Sequence, residues 1–327
     1  MNTQDAADRL QKGELVVFPT ETVYGIGALA SNDDAVQKIF EVKGRPQENP
    51  LILHIADRSQ LDELVKEIPG GAVKLMDAFW PGPLTICFQK SDQVSDLVTA
   101  GLSSVCLRNP DHPLTHDLLS RVGSAVAAPS ANISGRPSTT TFGHATAQLK
   151  EKGVHIIDGG NTVLGLESTV VDCTRTDIRI LRPGVVSKDQ LEKCLGFEVN
   201  EEHIEKITSP GQLLEHYAPQ GKLHVIIGDA TQRREWISKH ATSQATLGVV
   251  GTHLEGQSIS PYQVLCEKED NLKIYAQNLY QFLNWCDETN ATDIILELPA
   301  LREHQLYSAL LNRLNKASQG NILNLDQ

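Results

Sequence analysis

The chain lacks any apolar run near the roughly 18 residues that a membrane-crossing helix requires, and its opening stretch, MNTQDAADRLQKGE, lacks the charged-then-apolar pattern of a secretory leader. A cytosolic protein without membrane association is expected. Basic residues are scarce. Lys and Arg number 29 against 41 Asp and Glu, for a net charge of -12. The deficit is spread, with 19 basic against 25 acidic residues in positions 1–200 and 10 against 16 beyond. That balance argues against broad nonspecific nucleic-acid binding, which relies on clustered cations, but leaves room for a local basic pocket. Cysteine is sparse as well. The six, at 87, 106, 173, 194, 266 and 286, form no CxxC pair and are too few for a disulfide scaffold, so most are expected reduced and buried. No GxxxxGK[ST] stretch exists, so a bound nucleotide would not sit in a P-loop.

What is present reads as an ordinary globular α/β chain, 40% hydrophobic and 21% charged, whose 327 residues favour two domains. Strands are predicted at 15–18, 51–55, 84–88, 105–108, 125–128, 170–172 and 178–181, with helices between them. In the segment after Asn32, Ala35, Val36, Ile39 and Phe40 share one helical face behind an Asn or Asp cap. Another helix near 72–80 stops at Pro81-Gly82-Pro83. The pattern breaks at 198–221 into Ser209-Pro210-Gly211 and His216-Tyr217-Ala218-Pro219, which reads as a linker. A second alternation follows, with strands at 223–227, 246–250 and 293–296 and helices at 231–240, 271–286 and 303–316, suited to a small open parallel sheet.

The most informative stretch is Val16 to Leu53. It holds Pro19-Thr20-Glu21-Thr22-Val23-Tyr24-Gly25, then Lys43-Gly44-Arg45-Pro46 and Asn49-Pro50-Leu51. A Lys, an Arg and an Asn spaced KxRxxxN between a helix and a strand suit a polyanion, the Arg offering a planar fork of donors and the Lys a movable point charge. Later come Ala128-Pro129-Ser130-Ala131-Asn132-Ile133-Ser134-Gly135 and Glu167-Ser168-Thr169-Val170-Val171-Asp172. In this order, the motifs resemble those of the YrdC family of threonylcarbamoyl-AMP synthases, in its longer two-domain form. The resemblance runs from about Val16 to Pro219; its motifs are specific as a set and weak one by one.

The resemblance implies a YrdC-like twisted mixed sheet with flanking helices over 1–197, a linker over 198–221, and a smaller Rossmann-like α/β domain over 222–327. It implies that L-threonine, bicarbonate and ATP give L-threonylcarbamoyl-AMP and pyrophosphate, the precursor of N6-threonylcarbamoyladenosine at position 37 of ANN-decoding tRNAs. By motif position, Lys43, Arg45, Asn49, Ser104, Ser130, Ser138, Arg182 and Tyr217 would contact ATP. Thr22, His54, Arg108, Ala128 and Ser168 would line the threonine pocket. Lys43 and Arg45 would act electrostatically, with no general base assigned. Mg2+ would arrive with ATP, held by phosphates and water rather than by side chains, and no tightly bound organic cofactor is expected. A tRNA threonylcarbamoyl-transferase machinery is the expected partner, with weak or no direct tRNA binding. Within Gln212-Leu213-Leu214-Glu215 the basic or aromatic residues frequent in the family linker are missing.

Other readings of the residues stay open. Lys43 could merely offset a helix macrodipole, Arg108 could be a surface ion pair, and His54 a packed structural residue. Gly25-Ile26-Gly27-Ala28-Leu29-Ala30 fits GxGxxA, but Pro19 to Tyr24 separates it from the preceding strand. His112 and His116 are better explained by a helix with Pro113 at its first position than by a metal. An RNA-binding module, or a regulatory α/β protein whose residues 222–327 hold a partner, is the alternative to an enzyme.

Overall fold

The computed structural model describes residues 1–201, 217–242, 244–250, 262–268 and 270–326. The chain divides into two compact units, Met1–Ser134 with Ser138–Leu213, and Gly135–Pro137 with Leu214–Gln327. Ser209-Pro210-Gly211, His216 and Gln212–Glu215 lie outside the described residues.

The first unit is built on a mixed sheet of ten strands. In chain order these are β1 (Val16–Phe18), β2 (Gly25–Leu29), β3 (Ile52–His54), β4 (Leu84–Gln89), β5 (Ser104–Arg108), β6 (Val126–Ala127), β7 (His155–Ile156), β8 (Thr169–Asp172), β9 (Arg179–Arg182) and β10 (Asn200–Glu201). Their spatial order is β10-β9-β8-β4-β5-β3-β6-β2-β1-β7. Gly25-Ile26-Gly27-Ala28-Leu29 is therefore a strand, not a turn leading into a helix. Gly27 has a packing reason: a Cβ there would come within 2.7 Å of both the Phe18 ring and Val126.

Because side chains alternate along each strand, the pairings sort them onto two faces. One face carries Val17, Ile26, Leu53, Ile86, Leu107 and Val171 into the main core, where the helices Asp33–Lys43, Gly70–Phe79, Phe142–Leu149 and Lys188–Leu195 pack. On the other, the helices Thr3–Gln11 and Pro113–Val122 cover the β1, β2 and β6 end through Leu10, Phe18, Leu118 and Val126. Farther along that second face the apolar cluster shrinks to Ile52, Cys87, Cys106, Val170 and Leu181. Charged and hydroxyl side chains surround it.

Cys87 and Cys106 face each other across β4 and β5 and form a disulfide, 19 positions apart. Cys173, Cys266 and Cys286 are free and buried, and Cys194 is free and half-buried. Most of the six are thus free, as expected, and this pair is the exception, because adjacency in a sheet, invisible in sequence spacing, places them together. His112 holds the position before the helix Pro113–Val122 without a side-chain capping bond, and Pro113 lies in its first turn.

The second unit is a five-stranded parallel sheet in the order β13-β12-β14-β11-β15. Its strands are β11 (Lys222–Gly228), β12 (Thr246–Val250), β13 (Tyr262–Cys266), β14 (Asp293–Pro299) and β15 (Ile322–Asn324), with helices Ala230–His240, Leu272–Glu288 and Tyr307–Ala317. Arg233 and Glu297 are fully buried and paired, Nε to Oε1 at 3.4 Å. No described helix is long and apolar enough to cross a membrane.

Candidate active site

The helix Asp33–Lys43 starts at Asn32, whose side chain accepts from the Ala35 N–H at 3.0 Å, and stops at Gly44, which adopts a left-handed φ of 62°. Lys43 follows Ile39 and Phe40 at i+4 and i+3, so it shares their buried stripe. Its ammonium donates to the carbonyl oxygens of Ser130, at 2.5 Å, and of Asn132. Burial, reinforced by the charge of Arg45, pushes its pKa well below the usual lysine value. An arriving anion would oppose both effects.

Arg45 is buried and donates to the carbonyl oxygens of Asn49, at 3.2 Å, and Pro50, at 2.9 Å. These carbonyls belong to the segment that leads into β3, so the KxRxxxN motif folds around its own arginine. Asn49 is 1% exposed, and its side-chain oxygen has no hydrogen-bond partner among the described residues.

Strand β3 ties this corner to the next. His54 pairs in register with Arg108 at the end of β5, and the Ile52 carbonyl accepts from the Ala128 N–H at 2.9 Å. Arg108, 4% exposed, donates from Nε to Gly82 O at 3.3 Å and from Nη1 to Thr22 Oγ1 at 2.8 Å. Its Nη2 lies 2.7 Å from Oε1 of Glu21, a buried ion pair. The Thr20 and Thr22 hydroxyls are 2.8 Å apart. Burial, then the positive charge of Arg108, lowers the His54 pKa to about 3, so its ring is neutral near pH 7.

A third corner forms where β8 meets β4 and β9. Arg182 donates to Ser168 O, from Nε at 3.2 Å and Nη2 at 2.9 Å, and from Nη2 to Ser168 Oγ at 3.1 Å. The Ser168 hydroxyl also bonds Thr85 Oγ1 at 2.7 Å. Gly184 permits this close return, since a Cβ there would stand 2.4 Å from the Thr169 nitrogen. Nearby, the buried Ser138 hydroxyl donates to Glu167 Oε1 at 2.6 Å.

The structure thus brings Lys43, Arg45, Asn49, Ala128 and Ser130 around the approach to β3, Thr22, His54 and Arg108 at its end, and Ser168 with Arg182 beside β4. Ser104 stands at the opposite end of β5 from Arg108, on the same face and opposite Gln89. Tyr217 belongs to the second unit; its ring centroid lies 5.6 Å from that of Tyr280, with the Arg313 guanidinium 5.5 Å above it. Sequence reasoning assigned no role to Glu21, Thr85, Asn132 or Glu167. A hydroxyl inside the apolar run Leu84-Thr85-Ile86 was the available signal for Thr85, and the buried ion pair of Glu21 needed the fold.

Two family models match the chain, one described as "Telomere recombination" (Sua5, YciO, YrdC) over residues 8–184 and one as "Threonylcarbamoyl-AMP synthase, C-terminal domain" over 186–319. Among curated proteins, the threonylcarbamoyl-AMP synthase of Bacillus subtilis is 41% identical, covering 97% of this chain and 93% of its own. That of Pyrococcus abyssi is 40% identical, with 97% and 94% covered. The crystal structure of P. abyssi Sua5 complexed with L-threonine superposes with a TM-score of 0.91 at 38% identity, covering 99% of this chain and 96% of that one. With both models in tandem and identity sustained over nearly the whole length, the chain belongs to the YrdC family of threonylcarbamoyl-AMP synthases, in its two-domain form.

Proposed function

We infer that the protein is a threonylcarbamoyl-AMP synthase, a nucleotidyltransferase that converts L-threonine, bicarbonate and ATP into L-threonylcarbamoyl-AMP and pyrophosphate for tRNA modification. The observation that carries this reading is the burial, within one unit, of cations from distant motifs: Lys43, Arg45, Arg108 and Arg182. Glu21 already stands beside Arg108, and further anions would favour the burial of this much positive charge; ATP with a threonine carboxylate supplies them.

Threonine's amine takes up the carbon of bicarbonate with loss of water, giving a carbamate. A carbamate oxygen then attacks the α-phosphorus, and pyrophosphate leaves. That displacement needs alignment and charge stabilisation more than proton transfer. Lys43, Arg45 and Arg182 are assigned to the phosphates, with Asn49, Ser104, Ser130 and Ser138 as polar contacts to ATP. Tyr217 joins this set on its motif alone. Arg108 takes the threonine carboxylate, Thr22, His54 and Ser168 supply polar contacts, and Ala128 offers its backbone. A pocket built to bond the hydroxyl rejects valine, whose side chain would leave those groups unpaired.

Mg2+ is assigned to the ATP phosphates and would help neutralise them; among the described residues no group of three His, Cys, Asp or Glu could hold a metal ion. We assign residues 1–197 to catalysis, 198–221 to a linker and 222–327 to a second domain. A cytoplasmic location and hand-over of the product to a transferase machinery complete the reading.

Mass spectrometry of the protein incubated with ATP, Mg2+, L-threonine and labelled bicarbonate tests it. A labelled threonylcarbamoyl adenylate, lost in Arg45→Ala, is expected. ATP consumption without that adduct would point to a different acyl adenylate, and no consumption would remove the enzyme reading.

A further inference from the structure

Glu21 is buried, and its carboxylate lies against the one nitrogen of Arg108 that makes no hydrogen bond among the described residues. Nε and Nη1 of that arginine are committed to Gly82 O and Thr22 Oγ1. Neither oxygen of Glu21 accepts a hydrogen bond among the described residues. A buried carboxylate has acceptor capacity beyond one ion-pair contact, so with Oε1 against Arg108, Oε2 is left to take a cation or an N–H group.

An α-amino acid carries its two charges on adjacent carbons. A carboxylate seated on Arg108 Nη2 therefore brings its α-nitrogen beside whatever adjoins that nitrogen, and here the neighbour is Glu21, 2.7 Å from Nη2. We propose that Glu21 receives the α-ammonium group of the amino-acid substrate, so that Arg108 and Glu21 together select a zwitterion. The assignment rests on the threonine reading of this pocket. Sequence adjacency fixes the arrangement: Thr22 orients the guanidinium and the residue before it supplies the opposite charge. His54 and His112 cannot substitute, since burial lowers the pKa of each and neither offers a negative charge.

The test compares L-threonine with 3-hydroxybutanoate, the same skeleton without the ammonium, by calorimetry on the full chain, with ATP titration reporting an intact fold. Wild type is expected to prefer threonine. Glu21→Gln should weaken threonine by about 10- to 100-fold, the range of a hydrogen bond to a charged group, and leave 3-hydroxybutanoate within about threefold. Glu21→Asp should lose only part of the preference; it carries the test if the Gln variant does not fold, and an unchanged preference in it would then overturn the assignment. Equal weakening of both ligands in Glu21→Gln would also overturn it, leaving Glu21 as a support for Arg108. Wild type that binds ATP but neither small ligand would remove the threonine reading itself, a result distinct from either.

Discussion

The buried ammonium of Lys43 donates to the carbonyl oxygen of Ser130, 2.5 Å away, joining a helix end to a loop 87 positions later. Lysine thereby clamps the Ala128-Pro129-Ser130 segment, and the proposed function assigns it a second task as a cation for the phosphates. Lys43→Met keeps the length and apolar stem but removes donor and charge. We expect turnover to fall by about 10²- to 10³-fold, the loss typical of one electrostatic contact to a developing charge. Threonine affinity without ATP should change by less than about threefold. Equal losses in both measurements would mean that Lys43 serves the loop alone.

Arg182 reaches Ser168 through both its backbone oxygen and its hydroxyl. Only a planar fork makes those bonds together, so Arg182→Lys keeps the charge and loses the geometry. A drop of at least about tenfold in kcat/KM, with thermal stability reduced only modestly, is expected. Steady-state kinetics beside a melting curve would decide it, and wild-type kinetics in the variant would remove Arg182 from the site.

Much of this arrangement was legible beforehand, for reasons that differ by residue. β3, β4, β5 and β8 announce themselves as apolar runs between turn residues, and Asn32 with Gly44 brackets its helix by cap chemistry. β2 was hidden because its two glycines and Ala28 mimic a nucleotide fingerprint; Gly27 is small because Phe18 and Val126 press on it. β7, β10 and β15 are two or three residues long and, unlike the similarly short β1 and β3, lie in no apolar run of three or more. Among the residues assigned to the site, Lys43, Arg45 and Arg108 stand out through motif order. Glu21 was not, since a carboxylate beside two threonines reads as a solvated turn until the fold sets Arg108 against it. The Cys87–Cys106 bond was missed for the same reason, its partners meeting only when β4 and β5 pair.

In the second unit Glu297 holds a buried junction. Its Oε1 pairs with Arg233, its Oε2 accepts from the Val250 N–H at 2.6 Å, and its backbone oxygen accepts from the Tyr275 hydroxyl at 2.5 Å. Glu297→Ala removes both carboxylate contacts and leaves the buried Arg233 without that counter-charge. Such a loss typically costs roughly 3–5 kcal/mol. Denaturant unfolding should register it, and a change below about 1 kcal/mol would show that the pair is replaceable.

The Cys87–Cys106 disulfide lies within the apolar patch of Ile52, Val170 and Leu181. Closing a loop of this size is worth about 3 kcal/mol, mostly by restricting the unfolded chain. Dithiothreitol should therefore lower the melting temperature of the wild type and leave that of the Cys87→Ala/Cys106→Ala variant unmoved. A wild type indifferent to reductant would mean that the pair contributes nothing to stability in solution.

His54 gives the chain a measurable acid sensitivity. Burial and Arg108 lower its pKa from 6.5 to about 3, so the folded state resists a proton that the unfolded state accepts. Between those two values the unfolded chain binds more protons, and stability must fall as pH falls. Above pH 6.5 the contribution is fully present; by pH 4 about 3 kcal/mol of it is gone, at 1.36 kcal/mol per unit. Carboxylates add their own acid dependence, so the informative quantity is a difference between proteins. His54→Gln removes the titrating ring and should lose about 3 kcal/mol less than wild type between pH 7 and pH 4 in urea unfolding. Parallel losses in the two proteins would mean that the ring takes up its proton in the folded state, with water or a rearranged Arg108 relieving its burial.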